Sequence, residues 1–183
     1  MSDTVVRVLA ISGSLRSASS NSALAHAVSL LAPVGIEVSI YRELADIPPF
    51  NPDLDTDAAP AAVLRLRAAL NACDAILISS PEYAHGVPGV LKNALDWVVG
   101  SGELIDKPTA LINTSARATH AYASLQETLT TMSARVVGEA SMTIALDGAV
   151  WDASGIAQDP RLSALLTSAL AALARCPRAA RTP

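Results

Sequence analysis

The sequence predicts a single α/β domain, in which a parallel sheet carries helices on both faces. Short runs rich in β-branched residues alternate about five times with longer stretches rich in Ala and Leu, a pattern typical of this doubly wound, three-layer architecture. The first and third runs, residues 5–11 and 75–78, are almost continuously apolar, as strands buried on both sides are. A chain of 183 residues suits one domain. We place that domain at residues 1–176 and expect a frayed tail at 177–183.

The individual elements follow from the same alternation. Pro60 lies in the first turn of its helix, where proline is favoured, and Asp159 is placed to cap the last helix. Residues 42–59 form a polar, proline-rich connection. Strands are predicted at residues 5–11, 36–41, 75–78 and 109–113, with a fifth inside 136–146. Helices are predicted at residues 21–31, 60–70, 90–99, 119–132 and 160–175.

The composition argues against several classes of function. The net charge of −4, from 13 basic and 17 acidic residues, does not provide the basic face that nucleic-acid binding needs. No apolar run reaches the roughly 18 residues of a membrane span. Residues 1–7 lack the features of a signal peptide, so we expect a cytoplasmic protein. Cys73 and Cys176 form no motif, and no cluster has the spacing of a metal site.

The topology predicts where a ligand binds. In an open parallel sheet, ligands lie at the carboxyl ends of the strands, near the point where the strand order reverses. The loops after the first, third and fourth strands are therefore the candidate site.

The loop after the first strand, residues 12–21, suits a phosphate group. It leads from a buried strand into a helix, whose N-terminal N–H groups favour an anion. Arg16 can make a two-pronged contact with phosphate. Neither G-x-x-x-x-G-K-[ST] nor G-x-G-x-x-G occurs here, which argues against a nucleoside-triphosphate hydrolase and a dinucleotide site of the usual type. The alternative is an ordinary serine-rich turn, capped through Ser20 or Asn21.

The loop after the third strand, residues 79–89, contains two prolines and two glycines. Such a rigid loop can offer main-chain N–H groups to the edge of a flat heterocycle, while Tyr83 covers a face. The alternative is a stiff turn that ends in a helix start at Pro88. His85 alone indicates little, because loop histidines are commonly just solvated.

The loop after the fourth strand, residues 114–120, forms the third side. Ser115 can reach a ring oxygen. Arg117 and His120 can approach a second nucleotide, but a solvated Arg117 at a helix start explains the sequence equally well, and we favour that interpretation.

Together these loops resemble the NADPH-dependent FMN reductase family, which includes quinone, chromate and azo-compound reductases. Gly13 to Asn21 resembles the family's G-S-L-R-x-x-S-x-N signature. Pro81 to Trp97 resembles P-E-Y-x-x-G-x-P-G-x-L-K-N-A-L-D-W, a long and specific motif. Residues 47–54 also resemble the family's segment after the second strand, and the similarity spans about residues 5 to 125.

The resemblance implies a flavodoxin-like sheet of five strands in the order 2-1-3-4-5, with FMN as the cofactor. It implies that the phosphate lies at the first loop and the ring along the second, with the third loop nearby. The cofactor-binding residues expected on this basis are Ser14, Arg16, Ser19, Ser20, Asn21, Pro81, Glu82, Tyr83, Ala84, Gly86 and Ser115.

The implied activity is that of an FMN-dependent NAD(P)H oxidoreductase. NADPH or NADH would donate hydride to flavin N5, and the reduced flavin would then pass electrons to a quinone, a flavin or a similar small acceptor. No catalytic acid or base is assigned to this chain. Family members are commonly homodimers or homotetramers with the helix at residues 90–97 in an interface. Leu91, Leu95 and Val98 can serve core packing, whereas Asp96 and Trp97 are harder to place inside one subunit.

One segment departs from the family pattern. The family often carries S-P-G-x-x-G-G-x-R after the fourth strand, but residues 115–122 lack the paired glycines that allow close approach of a ligand to the backbone. This departure concerns NADPH docking more than flavin binding. It keeps open one alternative, a flavin-binding protein with little NADPH turnover. A second alternative, an FMN-binding electron carrier, is independent of this segment, and the net charge of −4 and Arg16 argue against it.

Overall fold

The computed structural model describes residues 5–146 and 150–176, so the predicted frayed tail lies outside the described residues. This part of the chain contains six strands and six α-helices, which alternate from β1 to β5. The strands are β1 Val6–Ser12, β2 Ile36–Tyr41, β3 Ala75–Ser79, β4 Pro108–Asn113, β5 Arg135–Val136 and β6 Met142–Thr143. The helices are α1 Ser20–Leu30, α2 Ala61–Ala72, α3 Gly89–Val99, α4 Thr119–Thr131, α5 Ala153–Gln158 and α6 Pro160–Ala174.

The strands pair in the order β2-β1-β3-β4-β5, and all the pairs are parallel. This confirms the flavodoxin-like order that the resemblance implied. Ser12 at the end of β1 pairs with Ser79 at the end of β3, and Ser79 pairs with Ile112 of β4. The carboxyl ends of these three strands, and the loops that follow them, therefore meet at one edge of the sheet.

The fifth position of the sheet differs from the prediction of one strand within residues 136–146. Two short strands, β5 and β6, each pair with β4. A 3₁₀ turn, Gly138–Ala140, separates them. The Ser141 hydroxyl accepts the N–H of Leu111 at 3.0 Å, so a side chain replaces the backbone partner where the strand is interrupted. The helix α5 was also absent from the prediction; Asp152 caps it by accepting the N–H of Gly155 at 2.7 Å.

Two apolar layers cover the sheet. Successive residues of a strand face opposite sides, and here Leu9 packs with α2, α3 and α4, whereas Val8 packs with α1, α5 and α6. In β3, Ile76 belongs to the first layer and Leu77 to the second. Burial on both faces explains why these strands are continuously apolar in sequence.

Trp97 lies inside the subunit, so the expectation that it is hard to place there was wrong. Its side chain is fully buried, and its indole Nε1–H donates to the carbonyl of Pro48 at 2.8 Å. The Phe50 ring meets the indole edge-on, with 5.1 Å between centroids. Trp97 therefore holds the 42–59 connection against α3.

The prediction for the last helix is confirmed. The Asp159 carboxylate accepts the N–H groups of Arg161 and Leu162 at 3.0 and 2.8 Å, which satisfies two donors at the start of α6. None of the helices within residues 5–146 and 150–176 combines the length and apolarity that a bilayer crossing requires. The same residues contain no group of three or more His, Cys, Asp and Glu side chains arranged to hold a metal ion.

Candidate functional site

The loops after β1 and β3 are in close contact. The Gly13 N–H donates to the carbonyl of Ser79 at 2.8 Å. A Cβ atom at position 13 would lie 2.5 Å from the Ser80 Oγ and 3.1 Å from a methyl group of Leu91. Such distances are shorter than van der Waals contact, so only glycine allows this approach of the two loops.

Between the β3 and β4 loops lies a cleft of about 290 Å³, called the central cleft below. Asn113 shapes its rim, because its side chain donates to the Ala118 carbonyl at 3.0 Å and accepts the Ser115 N–H at 3.1 Å. The cleft is lined by Asn21, Pro81, Glu82, Asn113, Thr114, Ser115, Arg117 and Ala118.

Asn21 is one of three buried polar residues that line this cleft, with Asn113 and Thr114, and only 5% of its surface is exposed. Its Oδ1 accepts two hydroxyl donors, Ser79 at 2.8 Å and Thr114 at 3.1 Å. Nδ2 makes no hydrogen bond with the residues that the structure describes. The two hydroxyl donors thus orient the amide so that its oxygen faces Ser79 and Thr114, and Nδ2 remains available as a donor to a ligand.

Glu82 joins two walls of the central cleft. Its Oε2 accepts the N–H of Ala121 at 2.8 Å, and its Oε1 lies 3.1 Å from the His85 Nδ1. His85 in turn meets His120 edge-on, with ring centroids 4.4 Å apart. The pKa of Glu82 is lowered, chiefly by the Ala121 N–H and further by the neighbouring His120 and His85. We call Glu82, His85, His120 and Ala121 the loop clasp.

A tight turn follows Glu82. Tyr83 and Gly86 exchange two backbone hydrogen bonds, at 2.9 and 3.1 Å. Ala84 and His85 at its corners have φ values of 49° and 59°, a left-handed conformation that costs L-residues free energy. Tyr83 is 56% exposed in this structure.

The loop after β1 ends at a capped helix. Ser19, rather than Ser20 or Asn21, is the N-cap of α1, with its hydroxyl accepting the Ser22 N–H at 3.4 Å. The N–H groups of Ser20 and Asn21 have no intrahelical acceptor, as is general in the first turn of a helix. The capping interpretation and the anion-binding interpretation of this loop are therefore compatible.

A second cleft, of about 360 Å³, lies between the β1–α1 loop, α1 and the end of β2. It is called the β2-side cleft below, and it shares no lining residue with the central cleft. Ser14 and Arg16 line it, together with His26 and Arg42. Of the predicted site residues, Asn21, Pro81, Glu82 and Ser115 thus meet at the central cleft, and Ser14 and Arg16 lie on the other side of the loop.

Comparison with known proteins shows the family of the chain. Residues 6–148 match the sequence profile described as NADPH-dependent FMN reductase. The chain belongs to the NADPH-dependent FMN reductase family. It is 35% identical to the NAD(P)H-dependent FMN reductase PA1204 of Pseudomonas aeruginosa over 178 residues, which cover 94% of this chain and 95% of that protein.

Two further known proteins are similar to part or most of the chain. A quinone reductase of Escherichia coli K12 is 37% identical over 116 residues, covering 61% of this chain and 60% of that protein. The solved structure of FerB, a flavoenzyme NAD(P)H:(acceptor) oxidoreductase from Paracoccus denitrificans, superposes with a TM-score of 0.72 at 29% identity. The superposition covers 94% of this chain and 100% of the FerB chain.

Sequence reasoning did not find the roles of Ser79, Thr114 and Asn113 at the central cleft, and it favoured a solvated Arg117, whereas Arg117 lines the cleft. Ser79 and Thr114 fix the Asn21 amide, Asn113 shapes the rim, and Arg117 lines the cleft. A signal for two of them was present: Ser79 and Asn113 are polar residues that end fully buried, mostly apolar strands. A polar group at that position needs a partner, which points to the neighbouring loops.

Proposed function

We propose that this family member holds FMN across the central cleft and the β1–α1 loop, and transfers electrons from NAD(P)H to a quinone or a similar small acceptor. The quinone reductase named above supports the choice of acceptor. FMN, when bound, supplies a ring that accepts a hydride and passes it on. The protein's own groups bind and orient that ring.

The observation that carries the proposal is the fixed amide of Asn21. Two hydroxyl donors hold its Oδ1, and its Nδ2, which has no acceptor among the described residues, can donate to a ligand in the cleft that Asn21 lines. Beside it, α1 offers the N–H groups of Ser20 and Asn21, the arrangement that binds phosphate at helix N-termini. The donor set therefore fits a phosphorylated ligand that passes from the loop into the cleft.

Arg16 is proposed to neutralise the phosphate. It is exposed and makes no ion pair with the residues described, so its guanidinium is available to an anion beside Ser14. Arg16→Ala should weaken FMN binding by about tenfold, the value of one charge-assisted hydrogen bond, and leave the fold unchanged. Arg161→Ala, which removes an exposed arginine from α6, is the control. Equal FMN affinity in the two variants contradicts the phosphate assignment.

The ring is proposed to lie against Pro81, Glu82 and Ser115, with Tyr83, Ala84 and Gly86 forming the turn at its edge. Both carboxylate oxygens of Glu82 are engaged in the loop clasp. Glu82 is therefore proposed to act through its main chain and by holding the wall in place. Electrostatic stabilisation of a reduced, anionic ring would come from N–H donors of these loops.

Activity is tested on purified protein. The protein should be yellow, should lose its flavin absorbance when NADPH is added without oxygen, and should regain it when a quinone is added. Colourless protein that takes up no added FMN overturns the proposal. Normal FMN binding with very slow reduction in stopped-flow favours the flavin-binding protein with little turnover, for which the altered residues 115–122 are the specific reason.

We also propose a homodimer that uses the C-terminal part of α3 and the segment beside it. Phe50, Leu54 and Val99 are apolar and exposed there, and the Cβ position of Gly100 lies 3.5 Å from Asp55, which places that segment next to the helix end. Light scattering should give twice the subunit mass, and Val99→Glu should give one subunit mass. The cytoplasmic location stays a prediction.

A further inference from the structure

The β2-side cleft has the size and walls of an organic ligand site. Its volume of about 360 Å³ exceeds the 290 Å³ of the central cleft and lies in the range of small-molecule sites, about 300–1,000 Å³. Leu15 and Ile40 provide apolar surface, and the ring of Tyr41 adds an aromatic wall. Ser12 and Ser17 add hydroxyl groups. A bare inorganic ion would leave most of this cleft unfilled.

The charge of the cleft is entirely positive among its lining residues. Arg16, Arg42 and His26 line it, and no carboxylate does. Within the described part of the chain, none of these three side chains forms an ion pair or a hydrogen bond. Glu43 follows Arg42 in sequence, but its carboxylate pairs with Arg65. With Arg16 assigned to the flavin phosphate, Arg42 and His26 remain as basic groups of this cleft without a protein partner among the described residues, in a protein of net charge −4.

The guanidinium of Arg42, in a cleft that hydroxyl groups also line, suits a phosphate monoester, which arginine binds in a two-pronged manner. The apolar and aromatic wall suits the base and sugar that carry it. We propose that the β2-side cleft binds the adenosine 2′-phosphate end of NADPH, with Arg42 and His26 as its contacts. This inference rests on the proposed function, because it assigns the cofactor end that distinguishes NADPH from NADH.

The position of the cleft agrees with this assignment. Both clefts border the β1–α1 loop, residues 12–21. A dinucleotide whose nicotinamide reaches the central cleft can therefore extend past this loop to the β2 side. The site does not use residues 115–122, where the family's paired glycines are absent, so the altered segment does not prevent it.

The experiment uses FMN-saturated enzyme, so that the flavin phosphate site is already filled before the nucleotide is added. Adenosine 2′-monophosphate is titrated calorimetrically into the wild type, Arg42→Gln and the control Arg161→Gln, which removes the same charge from α6. We expect Arg42→Gln to weaken binding at least about tenfold, the value of a lost charge-assisted contact. Arg161→Gln should change it less than about twofold.

Steady-state kinetics provide the second measurement. Arg42→Gln should raise KM for NADPH about tenfold, with kcat kept, and leave KM for NADH within about twofold. Absence of nucleotide binding, or equal effects of the two variants, overturns the proposal. So does loss of FMN from Arg42→Gln, which would make this the flavin's own phosphate site. Lost nucleotide binding with unchanged KM for NADPH overturns the assignment to the reductant.

The two proposals can fail separately. If the enzyme oxidises neither nucleotide but Arg42→Gln still abolishes binding of adenosine 2′-monophosphate, the cleft is a nucleotide-phosphate site and the reductase function is what fails.

Discussion

The carboxylate of Glu82 accepts the backbone N–H of Ala121 at 2.8 Å, which joins the loop after β3 to the first turn of α4. Helix α4 begins at Thr119 without a side-chain cap from its own N-terminal residue. A carboxylate near a helix N-terminus satisfies a free N–H and interacts favourably with the helix dipole. Glu82, from the β3 loop, therefore supplies the side-chain cap that the N-terminus of α4 lacks, and connects the two walls of the central cleft.

The loop clasp should make stability depend on pH. The pKa of Glu82 is lowered in the folded protein, first by the Ala121 N–H. Because this pKa is lowered, the clasp stabilises the folded protein at pH values above the unfolded-state pKa, about 4.3 for Glu. This stabilisation is lost as the pH falls through the folded-state pKa. The difference in Tm between wild type and Glu82→Gln should therefore be largest at neutral pH and vanish in acid. Glu127→Gln, an exposed change on α4, is the control, and a pH-independent difference for Glu82→Gln contradicts the clasp.

The fixed amide of Asn21 predicts a graded series in FMN affinity. Asn21→Ala removes the donor and should weaken binding by about 10- to 100-fold. Thr114→Val keeps the shape but loses one of the two hydroxyls that orient the amide, and should cost about threefold to tenfold. Thr114→Ser, which keeps the hydroxyl, should restore most of the affinity. Fluorescence titration of FMN measures all three, and equal affinities for Thr114→Val and wild type would show that the hydroxyl does not orient Asn21.

The contact of the β1 and β3 loops predicts a severe effect at Gly13. Gly13→Ala brings a Cβ within 2.5 Å of Ser80 Oγ, and overpacking of this kind costs about 1–3 kcal/mol. Adding Ser80→Gly should recover part of that loss in urea denaturation. Gly89→Ala is the matched control, because its Cβ meets nothing within 4 Å. Equal stability of the Gly13 and Gly89 variants would contradict the close approach.

The turn after Glu82 contains strain that a single substitution can remove. Ala84 has φ of 49°, which costs an L-residue about 1–2 kcal/mol. Ala84→Gly removes this cost, but the greater entropy of the unfolded chain with glycine offsets about 0.4–1 kcal/mol of the gain. The free energy of unfolding should therefore rise by about 0.5–1 kcal/mol. Ala58→Gly, at an exposed loop position outside the left-handed region, should lower it. A decrease for Ala84→Gly in chemical denaturation would show that the turn is not strained.

Local patterns were sufficient for much of the fold. The apolar runs of β1 and β3 and the Asp159–Pro160 helix start depend on residues that are neighbours in sequence, and the structure has them within one or two residues of the prediction. The interrupted fifth position was not predictable in this way, since the partner of the Leu111 N–H is the hydroxyl of Ser141, 30 residues away. Trp97 was misplaced for the same reason, because the acceptor of its indole N–H is Pro48, 49 residues earlier.

The sequence by itself determined the alternation of strands and helices, and therefore the loops that carry the site. Those features depend on local propensity and on hydrophobic patterning. Only the tertiary structure decided how Asn21 is oriented, because its two hydroxyl donors come from residues 58 and 93 positions away. Only the tertiary structure placed Arg16 and Arg42 in the lining of one second cleft. Hydrogen bonds and clefts between distant segments arise from the strand order, which no local pattern contains.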